Sequence, residues 1–222
     1  MDTKIEEFEH AGLTCEIHWE EDGEFCNPRD NDNLGIMLCW HPDYILGDKQ
    51  FTNPDGRGGV KERFHRDDFE SMEVLSRYLT LVEKAVVVLP LSIYDHSGIT
   101  MFVGHRYPFD SQGWDTTTVG FIYTTTERII ECFPMDQPLP DESVIEGALR
   151  QEVKVYDEWL CGEVYWWCVR DSEGEMIESC GGYIGDIDYV KEEAKESAEA
   201  LAKDILINQE PTDIAEILGG MS

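Results

Sequence analysis

The sequence predicts an α+β protein built as a single domain over residues 1–222, with a mainly antiparallel mixed sheet, hairpins and three main helices. Three observations lead there. Strand-like runs follow one another across short turns, instead of each being followed by a helix as a parallel βαβ arrangement requires. Two longer segments repeat apolar residues at helical spacing, and a third opens on acids as a helix start does. No internal repeat, low-complexity linker or shift in composition marks a boundary along the chain.

Residues 13–19, Leu-Thr-Cys-Glu-Ile-His-Trp, alternate apolar and polar and predict a half-buried strand. An acidic loop follows over Glu20–Asp32, then a nearly continuous apolar strand over Leu34–Trp40. Turn residues such as Asn53-Pro54-Asp55-Gly56 and Gly58-Gly59 make 41–59 a long loop. From about Asp67 to Lys84, Phe69, Met72, Leu75, Leu79 and Val82 recur at three or four residues, one face of a helix. Val86–Ile93 is the most apolar strand and reads as central. Asp95-His96-Ser97-Gly98 turns it into Ile99–Val103, a hairpin. An aromatic loop over 104–115 precedes a strand over Thr116–Thr124, rich in Thr, Val, Ile and Tyr.

After a loop over Pro134–Pro140, Asp141-Glu142-Ser143 opens a helix to about Cys161, with acids where the helix dipole favours them. Val164–Arg170 and Met176–Tyr183 flank Asp171-Ser172-Glu173-Gly174 and predict a second hairpin. The last helix runs over about 187–207; Pro211 stops it, and a short apolar tail follows 208.

A chain of 222 residues, 41% apolar and 11% aromatic, can bury a full core and is globular in composition. Its charge is the outlier: 47 acidic residues against 17 basic give a net of −30. Such a chain repels nucleic-acid phosphates and anionic membrane surfaces, which argues against direct binding to either. The densest basic stretch, Arg57, Lys61, Arg63 and Arg66, is diluted by Glu62, Asp67 and Asp68.

Seven cysteines, at 15, 26, 39, 132, 161, 168 and 180, show no CxxC pair, so zinc-ribbon and thioredoxin patterns are missing. The first residues, Met1-Asp2-Thr3-Lys4-Ile5-Glu6-Glu7, lack the basic and apolar regions of a signal peptide. The longest apolar run, Ala85–Leu91, is too short to span a bilayer. The expectation is a cytoplasmic protein whose seven thiols form no disulfide.

Candidate chemistry is sparse. Asp30-Asn31-Asp32-Asn33-Leu34-Gly35 begins like a calcium loop but fails at its fifth position, Leu34, and at its twelfth, His41. Cys39-Trp40-His41-Pro42-Asp43 and Tyr94-Asp95-His96-Ser97 each follow an apolar strand, where sites are often built. Their Cys39, His41, Asp43, Asp95, His96 and Ser97 could serve a hydrolase or a metal only if they meet in space. Neither loop carries a nucleophile elbow, HExxH or a phosphate-cradling glycine loop, and hydrogen bonding of both histidines to loop backbone is the plainer expectation. Trp40, Trp114, Trp166 and Trp167 could form a stacking platform, but beside this charge they read as core. No catalytic, cofactor-binding or metal residue is assigned, and no cofactor is expected.

The last helix is more informative. Ile187, Val190, Ala194, Ala198, Leu201 and Ile205 form one stripe, and Asp188, Glu192, Glu196 and Glu199 form the opposite one. Like charges at that spacing are neighbours and destabilise a helix; Lys191, Lys195 and Lys203 give partial relief. A solvated face explains such a row, and so does a row of carboxylates imitating phosphates. The second reading makes Asp188, Glu192, Glu196 and Glu199 partner-binding residues.

Several segments, in order over residues 27–185, resemble a family of uncharacterised bacteriophage and prophage proteins. They are Asn27-Pro28-Arg29 with Asp32-Asn33-Leu34-Gly35, Leu46-Gly47-Asp48, Leu89-Pro90-Leu91 with Tyr94-Asp95-His96-Ser97-Gly98-Ile99-Thr100-Met101, Trp114-Asp115 with Val119-Gly120-Phe121-Ile122-Tyr123, Glu152-Val153 with Tyr156-Asp157, and Gly162-Glu163-Val164-Tyr165. Asp171, Gly174-Glu175 and Ser179-Cys180 complete the set. The chain departs from the family pattern at Asp30-Asn31, Trp166 and Gly181. The resemblance implies a phage or mobile element inside a bacterial cytoplasm, and no activity.

Together, charge and resemblance lead to the expectation of a non-enzymatic accessory protein that inhibits a host nucleic-acid-binding defence protein, anti-restriction or anti-CRISPR in kind, through a basic groove. One alternative is a small hydrolase or metal-dependent enzyme using the His41 and Asp95–His96 loops. A second is a soluble phage protein-binding module without mimicry of DNA.

Overall fold

A computed structural model describes residues 3–21, 23–48, 68–110, 112–133 and 138–209. The basic stretch Arg57–Arg66, most of the expected 41–59 loop and the tail after Pro211 lie outside them. Every strand pairing among the described residues is antiparallel, and the class is α+β. The strands do not share one mixed sheet. They form two sheets of four, and the chain divides into two compact units, residues 1–23 with 163–222 and residues 24–162.

The central unit holds β3 (Ile36–Cys39), β4 (Ala85–Asp95), β5 (Ile99–Val103) and β6 (Thr116–Thr125), in the order β3-β6-β4-β5. The expected β4–β5 hairpin is present, with Ser97 at φ 66 in its turn. The strand predicted over 34–40 is shorter, because the backbone N–H groups of Leu34 and Gly35 donate to the Glu152 carboxylate instead of to a strand.

Helix α1 (Met72–Leu81) is capped by Ser71, whose hydroxyl accepts from the Val74 N–H. It buries Leu75 and Leu79 against Leu38, Phe121 and Tyr123. It is shorter than the predicted 67–84, and Val82 is exposed. The short helix α2 (Thr126–Cys132) was not expected; it starts straight from β6, with Thr125 as its cap. Helix α3 (Glu142–Leu160) buries Ile145, Leu149, Val153 and Tyr156 against Leu91, Ile93, Met101 and Ile122. Ile122 faces α3 while Phe121 and Tyr123 face α1, as the two-residue period of a strand requires.

The other unit joins both ends of the chain. Its strands are β1 (Lys4–His10), β2 (Leu13–Trp19), β7 (Val164–Arg170) and β8 (Met176–Ile184), in the order β1-β2-β7-β8. Strand β1 was not expected. It pairs with β2 across Ala11 and Gly12, both at positive φ, the geometry of a two-residue hairpin turn. Helix α4 (Ile187–Gln209) covers one face of this sheet, where Val190, Ala194 and Ala198 pack on Cys15, Ile17, Trp167 and Val169. The small alanines let the helix approach the sheet closely. None of the seven cysteines is in a disulfide.

The β7–β8 hairpin turns where expected. Asp171 Oδ1 accepts from the N–H groups of Glu173 and Glu175, and Gly174 stands at φ 84. A Cβ at Gly174 would meet nothing within 4 Å, so any cost of substitution comes from the backbone alone. Gly174→Val is expected to lose about 1 kcal/mol or more in urea unfolding. An unchanged midpoint and slope would rule out the left-handed turn.

Candidate functional site

Helix α4 carries the residues that the sequence singles out. Its start is set by Asp186, whose carboxylate accepts from the N–H groups of Asp188 and Tyr189 and so satisfies donors that have no partner within the helix. With Val190, Ala194 and Ala198 turned into the core, Asp188, Glu192, Glu196 and Glu199 fall on the far side, and all four are exposed.

The row is partly neutralised. Lys191 reaches both Glu6 of β1 at 2.7 Å and Asp188 at 3.4 Å. Lys195 holds Glu192 at 2.7 Å, and Glu199 lies 3.1 Å from His10 Nε2 and 4.0 Å from Lys203. Glu196 has no ion pair among the described residues. These exposed pairs add little to stability, and their cations are too few to cancel the surface. Among the described residues, the unit that holds α4 carries 18 acidic and 5 basic residues in 67, whereas the central unit carries 20 and 7 in 115. The acidity is therefore concentrated where the helix lies.

The two polar loops of the central unit do come together, though not as a metal or nucleophile site. His41 stacks on Tyr44 at 4.8 Å, and the Tyr44 hydroxyl donates to Asp95 Oδ2 at 3.0 Å. His41 Nδ1 accepts from the Asp43 N–H at 3.2 Å, the backbone role expected of it. His96 Nδ1 lies instead 3.3 Å from Asp115 Oδ2. His41, Asp95 and His96 do not bring three donor atoms together; among the described residues, the one group that does is Glu16, His18 and Cys168. Cys39 is fully buried, and burial, helped by the Asp48 carboxylate, pushes its thiol far up. A protonated thiol without access to solvent is no nucleophile.

The tryptophans divide. Trp167 is core and Trp166 stacks on His18, whereas Trp114 is 84% exposed, against expectation. Trp114 sits on the aromatic loop, which also exposes Phe109. Asp110 shapes that loop, accepting from the N–H groups of Gly113, Trp114 and Asp115 and from the Thr116 hydroxyl. The hydroxyl and backbone bonds outweigh desolvation and hold the Asp110 carboxyl below its usual range. On the same loop Tyr107 stacks on Tyr94 of β4 at 4.5 Å.

The Asp30–Asn33 segment, excluded as a calcium loop, lines a cavity of about 310 Å³ together with Arg29, Asp48 and Arg128. The Arg29 side chain is almost wholly buried. Its Nε donates to Asp48 at 2.7 Å, Nη1 to Glu152 at 2.9 Å and Nη2 to the Gly35 carbonyl at 2.6 Å. Its charge is thus committed to the fold. Nothing local in the sequence marks this network, because Arg29, Asp48 and Glu152 come from three separated segments.

No protein-family model, no curated protein and no solved structure matches this chain.

Proposed function

We propose that this protein acts by binding, occupying a basic nucleic-acid-binding groove on a bacterial host protein in place of the nucleic acid. The observation that carries the reading is the acidic surface of the unit built from the two chain ends, with Asp188, Glu192, Glu196 and Glu199 exposed along α4. A net charge of −30 is far beyond the magnitude of about 2–8 that keeps a small domain soluble. At 1.5 Å rise per residue, the row places a carboxylate about every 5–6 Å, against a phosphate every 3.4 Å along one nucleic-acid strand. It is sparser than DNA, and Glu6 of neighbouring β1, on the α4 side of the sheet, adds to it. The resemblance to phage and prophage proteins supports a setting in which blocking a nucleic-acid-directed defence is useful to the bearer. The hydrolase alternative keeps no accessible thiol at Cys39, and no observation favours it.

Carboxylates would pair with the lysines and arginines that otherwise hold phosphates. Binding would then weaken steeply with salt, and charge would act mainly on the rate of encounter. Neutralising the row as Asp188→Asn, Glu192→Gln, Glu196→Gln and Glu199→Gln is expected to slow association about tenfold or more at low salt, with dissociation little changed. The test is capture from bacterial lysate at low and high salt, with and without duplex DNA as competitor, followed by association kinetics on the captured protein. Partners that lack a nucleic-acid site, or a complex indifferent to both salt and DNA, would sink the proposal.

A further inference from the structure

The face of the β1-β2-β7-β8 sheet turned away from α4 carries a cluster with a different chemistry. In the β2–β7 register Glu16 stands directly opposite Cys168, and His18 is two residues along β2, on the same face. All three are buried. Glu16 Oε2 lies 3.3 Å from His18 Nε2 and 3.3 Å from Cys168 Sγ, and the three donor atoms lie within 4.8 Å of one another. Zinc bonds of ~2.0–2.3 Å at a tetrahedral angle put ligand atoms about 3.3–3.6 Å apart. The carboxylate's separations from imidazole and thiol are those that one bound ion would bridge.

The surroundings orient the imidazole. His18 stacks on Trp166 with ring centroids 4.1 Å apart and planes at 12°. Its Nδ1 lies 3.3 Å from Thr3 Oγ1. A proton on Nδ1 shared with that hydroxyl leaves the Nε2 lone pair facing Glu16 and Cys168, the tautomer a metal takes. Two cations oppose an ion: Arg170 Nε donates to Glu16 Oε2 at 2.9 Å, and Lys4 Nζ lies 3.3 Å from Oε1. They reduce the affinity of the carboxylate for an ion, so the cost falls on Glu16.

We propose that Glu16, His18 and Cys168 form a three-residue zinc site, with a water molecule as fourth ligand. Thiolate, imidazole and carboxylate together select zinc among abundant cytosolic divalent ions, since calcium and magnesium take oxygen ligands alone. The charges balance: Zn²⁺ meets one thiolate and one carboxylate, and the thiol proton leaves to solvent on binding. The competing arrangement is a proton shared between His18 Nε2 and Glu16.

Cobalt distinguishes the two. The full chain, reduced and stripped with a chelator, is titrated with Co²⁺ and then with Zn²⁺. One equivalent of cobalt is expected to give tetrahedral visible absorption and a thiolate-to-cobalt charge-transfer band, both lost as zinc displaces it. Cys168→Ser is expected to abolish the charge-transfer band and His18→Gln to weaken binding at least tenfold, while Cys180→Ser changes neither. Thr3→Val, a milder change on the fold, is expected to weaken cobalt binding about tenfold through the lost partner of Nδ1. Wild-type protein that gives only an octahedral cobalt spectrum without a sulfur band overturns the site, whether or not the variants fold. So does a Cys168→Ser protein, folded by circular dichroism, that keeps the wild-type spectrum.

Discussion

Arg29→Met is expected to destabilise the central unit by about 3–5 kcal/mol, the range for breaking a buried ion pair by removing one partner. The side chain is 3% exposed and joins three segments at once. Asp48, which also accepts from the Met37 N–H at 2.9 Å, holds its Nε side. Glu152 of α3 holds Nη1 and also accepts from the N–H groups of Leu34 and Gly35. Next to this network, the Tyr156 hydroxyl accepts from the Gly47 N–H, with burial pushing its pKa up to about 12. Removing the guanidinium leaves two carboxylates mostly shielded from water with their cation gone, at 12% and 17% side-chain exposure.

The cost should therefore depend on the carboxylates. Arg29→Met combined with Glu152→Gln is expected to lose less than the sum of the two single changes, by about 1–3 kcal/mol. Urea unfolding of the four proteins measures the cycle. Additive losses would mean that Arg29 acts through packing of its stem and not through charge. Exposed pairs such as Arg150–Glu146 serve as the control, since removing one of them should change stability by less than about 1 kcal/mol.

Gly120→Ala is expected to cost about 3 kcal/mol or more, at the upper end of overpacking changes. Gly120 lies in β6 opposite Cys39 of β3, and an added Cβ would stand 1.8 Å from the Leu38 carbonyl oxygen, 2.9 Å from its carbon and 3.0 Å from Cys39 Cα. These are backbone atoms, with no rotamer to escape into. Either β3 leaves β6 and Met37, Leu38 and Cys39 lose their burial, or β6 bends and breaks its pairing with β4. Thermal unfolding of the variant tests this, and a wild-type melting temperature would show that β3 is not seated on β6 as described. By contrast, Gly174→Val strains only its own backbone.

The acidic row was legible because it needs only the 3.6-residue period of one helix: once the apolar stripe from Ile187 to Ile205 is assigned inward, Asp188, Glu192, Glu196 and Glu199 must face out. Both hairpins expected from turn residues are present for the same local reason. Strand β1 was not legible. Lys4-Ile5-Glu6-Glu7-Phe8-Glu9-His10 offers two apolar residues at helical rather than alternating spacing, and an edge strand tolerates such charge because one of its sides faces solvent. Helix α2 was missed because it continues β6 with no glycine or proline between them, and its cap, Thr125, also suits a strand.

The sequence by itself determined the α+β class, the hairpins, the long helices and the outward face of α4, since periodicity and turn chemistry are written in neighbouring residues. Only the tertiary structure decided that the strands divide between two sheets, that β2 pairs with β7, and that Arg29 meets Asp48 and Glu152. The same pairing places Glu16 against Cys168. The physical reason is that a strand leaves its backbone donors and acceptors to be satisfied by another segment, and nothing in its own residues names which one. Partner and register are selected by the joint burial of side chains from distant parts of the chain, and a shift of one residue in β7 would turn Cys168 to the opposite face, away from Glu16.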